Sequence, residues 1–169
     1  PRRGRLACRS SAQTPPMSHS ANAMMKRSNN PISKMVRLTM APPMKPTLQI
    51  GNTAEVNVEV TESMCPAFDG VVVHPVYSTW SMAHHMELAA RKVLEPHLED
   101  GEEGIGRHLS IEHLAPAAVG AKVRVHAEAI AVDASSVTCE VTAWAADTLL
   151  GRGRQVQRIL PKVVLSRII

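Results

Sequence analysis

Three residues have the types and placement for acid–base or nucleophilic chemistry: His113, Glu87 and Thr79. His113 follows Leu109 and Ile111 at spacings of four and two on an alternating segment, so it shares their face and is expected to point inward. A buried imidazole is costly without a partner, and standing alone it reads more naturally as a satisfied core residue than as a base. Glu87 changes that balance. It falls beside Met86, near the apolar stripe of a helical segment, where a carboxylate needs a partner and a histidine is a natural one. Thr79 sits at the expected start of that helix, where its simplest role is a cap. A hydroxyl there can also position a water or a carbonyl oxygen, because helix N-termini favour developing negative charge. From Thr79 to Glu87 is about 12 Å along a helix, which makes it hard for both to touch one reacting carbon from the same protomer. A site shared between the protomers of a dimer relieves that difficulty.

Other chemistries lose ground on inspection. Cys8, Cys65 and Cys139 are odd in number and have no CxxC spacing, so neither a disulfide framework nor a zinc site is indicated, and no metal or separate cofactor is expected. His84 and His85 are adjacent, diverge by about 100° on a helix and cannot grip one metal together. The acidic loop from Glu99 to Gly106 lacks EF-hand spacing and reads as solvated, and Gly104-Ile-Gly106 is too short for a dinucleotide fingerprint. No GxSxG occurs, which argues against an α/β-hydrolase.

The elements that must position these residues follow from periodicity. Thr53 to Val60 alternates through Ala54, Val56, Val58 and Val60 as a half-buried strand. An irregular stretch with Pro66, Gly70 and Val71 to Val73 leads to a helix that starts near Ser78 or Thr79 and stops before Pro96, its stripe being Met82, Met86, Ala89, Ala90, Val93 and Leu94. Strands are expected at Arg107 to Leu114, Lys122 to Asp133, Ser136 to Ala146 and Arg152 to Val164, the middle two joined as a hairpin near Asp133 to Ser135. Strand, helix and then four strands in antiparallel meander make an α+β layer architecture, one long helix packed on a curled sheet of about five strands.

Composition sets the outer limits. The 169 residues are 44% hydrophobic and only 2% aromatic, enough for one aliphatic core. Nine of the 19 Lys and Arg lie in residues 1–50, which hold no acid, so the remainder sets ten bases against all 15 acids and carries a net charge near −5. A nucleic-acid-binding core is therefore excluded despite the overall pI of about 9.3. No apolar run is long enough to span a membrane. Residues 1–46, rich in Ser, Pro, Met and Arg, read as a disordered basic tail, and 47–169 as the folded domain. The tail is expected to be upstream sequence foreign to the native protein, since the chain starts without Met and offers Met17, Met24, Met25, Met35, Met40 and Met44 inside it; an organelle transit peptide is the competing reading. A reducing, cytoplasmic setting fits the cysteines.

Three separated segments resemble the hotdog-fold thioesterases similar to fluoroacetyl-CoA thioesterase. Val76-Tyr-Ser-Thr-Trp-Ser-Met-Ala-His-His-Met-Glu-Leu-Ala-Ala90 looks like that family's stretch with a Thr before a helix and a Glu eight residues on. Gly104-Ile-Gly-Arg-His-Leu-Ser-Ile-Glu-His-Leu-Ala-Pro-Ala-Ala-Val-Gly120 resembles its histidine-bearing strand and the proline–glycine turn after it. Leu150-Gly-Arg-Gly-Arg-Gln-Val-Gln-Arg158 is a weaker match to the Gly-x-Gly that leads into the last strand.

The resemblance implies a hotdog fold over residues 46 to 165 and a homodimer that hydrolyses an acyl-CoA thioester, with the site at the dimer interface and CoA entering only as part of the substrate. Carried over residue by residue, the catalytic group would be Thr79, Glu87 and His113, with Gly106 and Arg107 beside the substrate. His113 would be the general base toward water or a nucleophile, and Glu87 would orient it or attack the thioester itself. Backbone N–H groups near Gly106 or at the helix start would polarise the carbonyl. Two departures stand out. Arg107 occupies a position that is often a small residue in the family, and the lid phenylalanines tied to fluoroacetyl selectivity have no clear counterparts, Phe68 being the single Phe. A small or medium acyl-CoA is therefore the expected substrate, without fluoroacetyl selectivity. The alternative is a non-catalytic hotdog domain that senses or carries acyl-CoA; a hotdog hydratase would need an Asp and His pair that is not found.

Overall fold

The computed structural model describes residues 44–169. Residues 1–43, most of the segment expected as a tail, lie outside the described residues. Met44 and Lys45 are already tied to the fold: the Met44 N–H donates to the Glu102 carboxylate at 3.1 Å and the Lys45 N–H to the His97 carbonyl at 2.9 Å.

The chain runs through β1 (Thr53–Glu59), a short hairpin of β2 (Ala67–Phe68) and β3 (Val71–Val72), helix α1 (Thr79–Leu94), β4 (Glu102–His113), β5 (Lys122–Asp133), β6 (Ser136–Ala145), β7 (Thr148–Pro161) and a short helix α2 (Lys162–Ile168). The expected α+β arrangement is present: α1 lies across one antiparallel sheet of order β1-β5-β6-β7-β4. Ser78 caps α1, its Oγ accepting the Ser81 N–H at 3.1 Å. The helix ends at Leu94, and Pro96 follows within a 3₁₀ turn, Glu95–His97, as proline's missing N–H dictates.

All six residues of the expected stripe, Met82, Met86, Ala89, Ala90, Val93 and Leu94, are buried. They meet Val123, Val125, Ala127 and Ala129 of β5 and Val137, Cys139, Val141 and Ala143 of β6, where the alanines let the helix sit close to the sheet. Each fully buried Met, Val or Leu contributes about 1.5–3 kcal/mol, which makes this one core the main source of stability. The small free thiol of Cys139 lies in it, and burial pushes its pKa up to about 11.

Three expectations about the sheet need correction. The four later strands do not form a simple meander, because β4 pairs with β7 at the far edge and only β5, β6 and β7 follow one another. Strand β4 begins at Glu102 instead of Arg107, since Glu102-Glu-Gly-Ile-Gly106 mixes charges and glycines and shows no apolar alternation. At Gly104 an added Cβ would stand 2.5 Å from Leu94 Cδ2, so the helix occupies the space a side chain would need. The last strand starts at Thr148 and stops at Pro161, after which the chain turns into α2. Gly151 and Gly153 thus lie inside β7 and do not lead into it. No helix among the described residues is long and apolar enough to cross a membrane.

Candidate active site

The N-terminus of α1 comes to rest against the end of β4, and there Thr79 Oγ1 lies 2.9 Å from His113 Nδ1. The other ring nitrogen, Nε2, is 3.1 Å from the Ala115 carbonyl. A carbonyl only accepts, so Nε2 carries a proton and donates. In the neutral ring Nδ1 is then the acceptor, and the Thr79 hydroxyl donates to it. Ser78, not Thr79, is the cap of α1, which leaves the Thr79 hydroxyl free for this bond. Ser81 and Met82 N–H are taken by Ser78 Oγ and the Ser78 carbonyl, while the N–H groups of Thr79 and Trp80 precede any intrahelical acceptor.

His113 lies on the helix-facing side, as the spacing predicts, yet it is exposed and not buried. It is the last residue of β4, an edge strand, and α1 only begins beside it, so no layer covers it. Its position also depends on a bulge. The β4–β7 register slips between Gly106 and His108, with Arg107 as the extra residue. Gly104 and Gly106 face α1 before the slip; Leu109, Ile111 and His113 pair with Gln155, Gly153 and Gly151 and face it afterwards.

Glu87 is brought to a different place. No hydrogen bond joins it to His113 or Thr79 among the described residues, and the expected Glu87–His113 partnership does not form within one chain. Two turns along α1 from Thr79, Glu87 leans over Gly106. A methyl group there would overlap its Oε1 and stand 3.6 Å from Gln155 Nε2. Glu87, Gly106, Arg107, His108, Leu109 and Gln155 line a recess of roughly 210 Å³, with Glu87 exposed at its rim and Gln155 fully buried. Gly106 is therefore a glycine because the carboxylate fills the space of a side chain. Arg107, the bulged residue, lines the same recess and is exposed.

Gln155 was not singled out by sequence reasoning. Both its amide atoms are buried without a hydrogen-bond partner among the described residues. The signal was available: counting back from Ile159 by twos gives Gln157, Gln155, Gly153 and Gly151, which places two glutamines on the inward face of a strand.

An apolar hollow of about 340 Å³ adjoins the Thr79–His113 pair, lined by Pro66, Phe68, Val76 and Trp80 among others. Phe68 meets Trp80 edge to face at 5.5 Å, so the hairpin's one phenylalanine does stand beside the site. Beneath it Tyr77 Oη and His85 Nδ1 are 2.7 Å apart in the core. Burial, and then the neighbouring His84, lowers the His85 pKa, while burial alone raises that of Tyr77. His85 is buried and His84 exposed, as two adjacent helical residues should diverge.

Comparison with known proteins bears on this arrangement. The profile of the fluoroacetyl-CoA-specific thioesterase family, FlK, matches residues 60–163. Among solved structures, a hypothetical protein of Thermus thermophilus described as a thioesterase superfamily member is 40% identical over 73% of this chain and 92% of that one, with a TM-score of 0.71. The fluoroacetyl-CoA thioesterase FlK is 22% identical over 71% and 94% of the two chains, with a TM-score of 0.65. A hot-dog-like protein from Thermanaerovibrio acidaminovorans is 19% identical over 71% and 89%, with a TM-score of 0.67. No curated protein matches. The fold is thus a hotdog fold, and the chain belongs to the FlK thioesterase family.

Proposed function

We propose that this protein hydrolyses a small or medium acyl-CoA thioester to the free acid and CoA, with Thr79, Glu87 and His113 as its catalytic residues. The observation that carries the reading is the hydrogen bond from Thr79 to His113 Nδ1, with Nε2–H held on the Ala115 carbonyl. With Nε2 as the donor to Ala115, the ring can turn an Nδ1 lone pair to the oxygen that would lose a proton. As that oxygen bonds to the thioester carbon, its proton passes to Nδ1. The C–S bond then breaks and the proton returns to the departing CoA thiolate. Water next attacks the Thr79 acyl ester, giving a proton to Nδ1, and the ester C–O bond breaks as Thr79 takes that proton back and the free acid leaves. The N–H groups of Thr79 and Trp80, which precede any intrahelical acceptor, are of the kind that suits a developing oxyanion.

Glu87 enters through a second copy. Strand β4 is an edge with one side unpaired among the described residues, a surface that invites pairing with another strand. Two β4 strands pairing antiparallel about a two-fold axis near Leu109 and Ser110 would bring Gly106 of one protomer, and Glu87 above it, opposite the partner's His113. The carboxylate would then stabilise the imidazolium formed during attack. The apolar hollow beside Phe68 and Trp80 suits the uncharged pantetheine arm of the CoA.

The test is thiol release from acyl-CoAs of increasing chain length, by the whole protein and by its Glu87→Gln variant. Turnover that falls about a hundredfold or more in the variant supports the reading. Thermal stabilisation by acyl-CoA with no thiol release would replace it with a domain that binds acyl-CoA without cleaving it.

A further inference from the structure

The recess under Glu87 is built unlike an ordinary hydrocarbon pocket. Its floor is the carboxamide of Gln155, fully buried, with neither Nε2 nor Oε1 bonded to any described residue. An orphaned polar group in a core is costly, and a methionine of similar length would fill the position without that cost. The side chain faces α1, because Gln155 pairs with Leu109 on the helix side of the sheet, and Nε2 borders the same point beside Gly106 as the Glu87 carboxylate. A carboxylate only accepts, whereas the amide offers both a donor and an acceptor. The group that completes it must therefore both accept and donate, as a hydroxyl does. Glu87 is at the rim and Gln155 at the floor, so an acyl chain whose thioester carbon lies by Glu87 points its first carbons at Gln155. The recess, at roughly 210 Å³, suits a short chain.

Resting on the thioesterase reading, we propose that Gln155 is a specificity-determining residue and that the preferred substrates are short acyl-CoAs bearing a hydroxyl on C2 or C3. The hydroxyl donates to Gln155 Oε1 and accepts from Nε2, replacing whatever water fills the recess otherwise. Sites built to hydrogen-bond a substrate hydroxyl discriminate strongly against the analogue that lacks it, because the buried polar groups are then left unpaired.

The experiment compares kcat/KM for two matched pairs, glycolyl-CoA against acetyl-CoA and 3-hydroxybutyryl-CoA against butyryl-CoA, in the wild-type protein and in Gln155→Met. The expected result is a preference of about tenfold or more for the hydroxylated member of at least one pair in the wild type. Gln155→Met reduces that ratio to near one, the loss of kcat/KM falling on the hydroxylated members. Equal rates on both members of each pair in the wild type overturn the inference and leave the thioesterase reading intact. A uniform fall in kcat on all four substrates in Gln155→Met also overturns it, and would mean that Gln155 holds something common to every turnover, such as the attacking water. If no acyl-CoA is cleaved at all, the thioesterase reading fails. The same two pairs then rank by thermal stabilisation of the wild-type protein, where absence of a hydroxyl preference overturns the inference by itself.

Discussion

The two ends of the groove between α1 and β4 are finished to different degrees. At the Thr79–His113 end every polar atom of the imidazole has its partner, and the pair is open to solvent. At the Glu87–Gly106–Gln155 end a carboxylate with no partner among the described residues leans over a glycine, and a buried amide has nothing to bond. A proton acceptor can be prepared in advance by its own chain, since the carbonyl of Ala115 is enough to set its tautomer. Groups that would recognise an acyl chain would have to wait for it, and the cost of leaving the amide unpaired is carried by the core around it.

The comparison can be broken most sharply at the finished end. His113→Ala should lower thioester hydrolysis by about a thousandfold, the usual scale for losing a general base, while the melting temperature stays near that of the wild type because the ring is exposed. Retained turnover would remove His113 from the mechanism. Gly106→Ala acts on the unfinished end, where the new methyl would displace the Glu87 carboxylate by overlap with Oε1. Glu87 is the far end of a flexible side chain and can swing away, so stability should change little. Activity should fall by about a hundredfold, as for other misplacements of a catalytic group by an ångström. Unchanged kcat would show that the position of Glu87 over Gly106 is irrelevant to the chemistry.

The smallest effect is electrostatic and sharpens the contrast by marking the rigid frame outside both ends. Glu103 binds Arg91 at 2.8 Å, and chiefly that hydrogen bond holds its carboxyl below the ordinary carboxylate range. The folded state therefore takes up this proton less readily than the unfolded one. Its stability is present in full above about pH 5 and is lost as the pH falls through the depressed folded value. Glu103→Gln should lower stability by about 0.5 kcal/mol at pH 7, a modest figure because the pair is partly exposed, and should converge with the wild type in acid. Equal melting temperatures of the two proteins at pH 7 would show the pair to contribute nothing.

Much of this was legible in one dimension. The stripe from Met82 to Leu94 names its own buried face, because a helix repeats every 3.6 residues and only that spacing lines up apolar side chains. The stop before Pro96 and the hairpin at Asp133 to Ser136 follow from residues that cannot do otherwise locally. Thr79, Glu87 and His113 were singled out by type and placement and Gly106 by resemblance to the family; the fold sets Thr79 against His113 and Glu87 over Gly106. What local pattern could not reveal is decided by contacts between segments distant in the chain. Strand β4 lies at the edge beside β7, where side chains of α1 fill the space that a Cβ would need at Gly104 and Gly106, and a run such as Glu102 to Gly106 shows no alternation to read. The bulge at Arg107 moves every later residue of β4 to the opposite parity, so which side chains join Gly106 on the helix face depends on a register set by β7. The parity of β7 puts Gln155 on the same face as Gln157 and Ile159, but parity alone does not say what covers that face. Only the sheet at its back and the helix above it make it a buried amide in need of a ligand, because burial belongs to the packed layers and not to the residue.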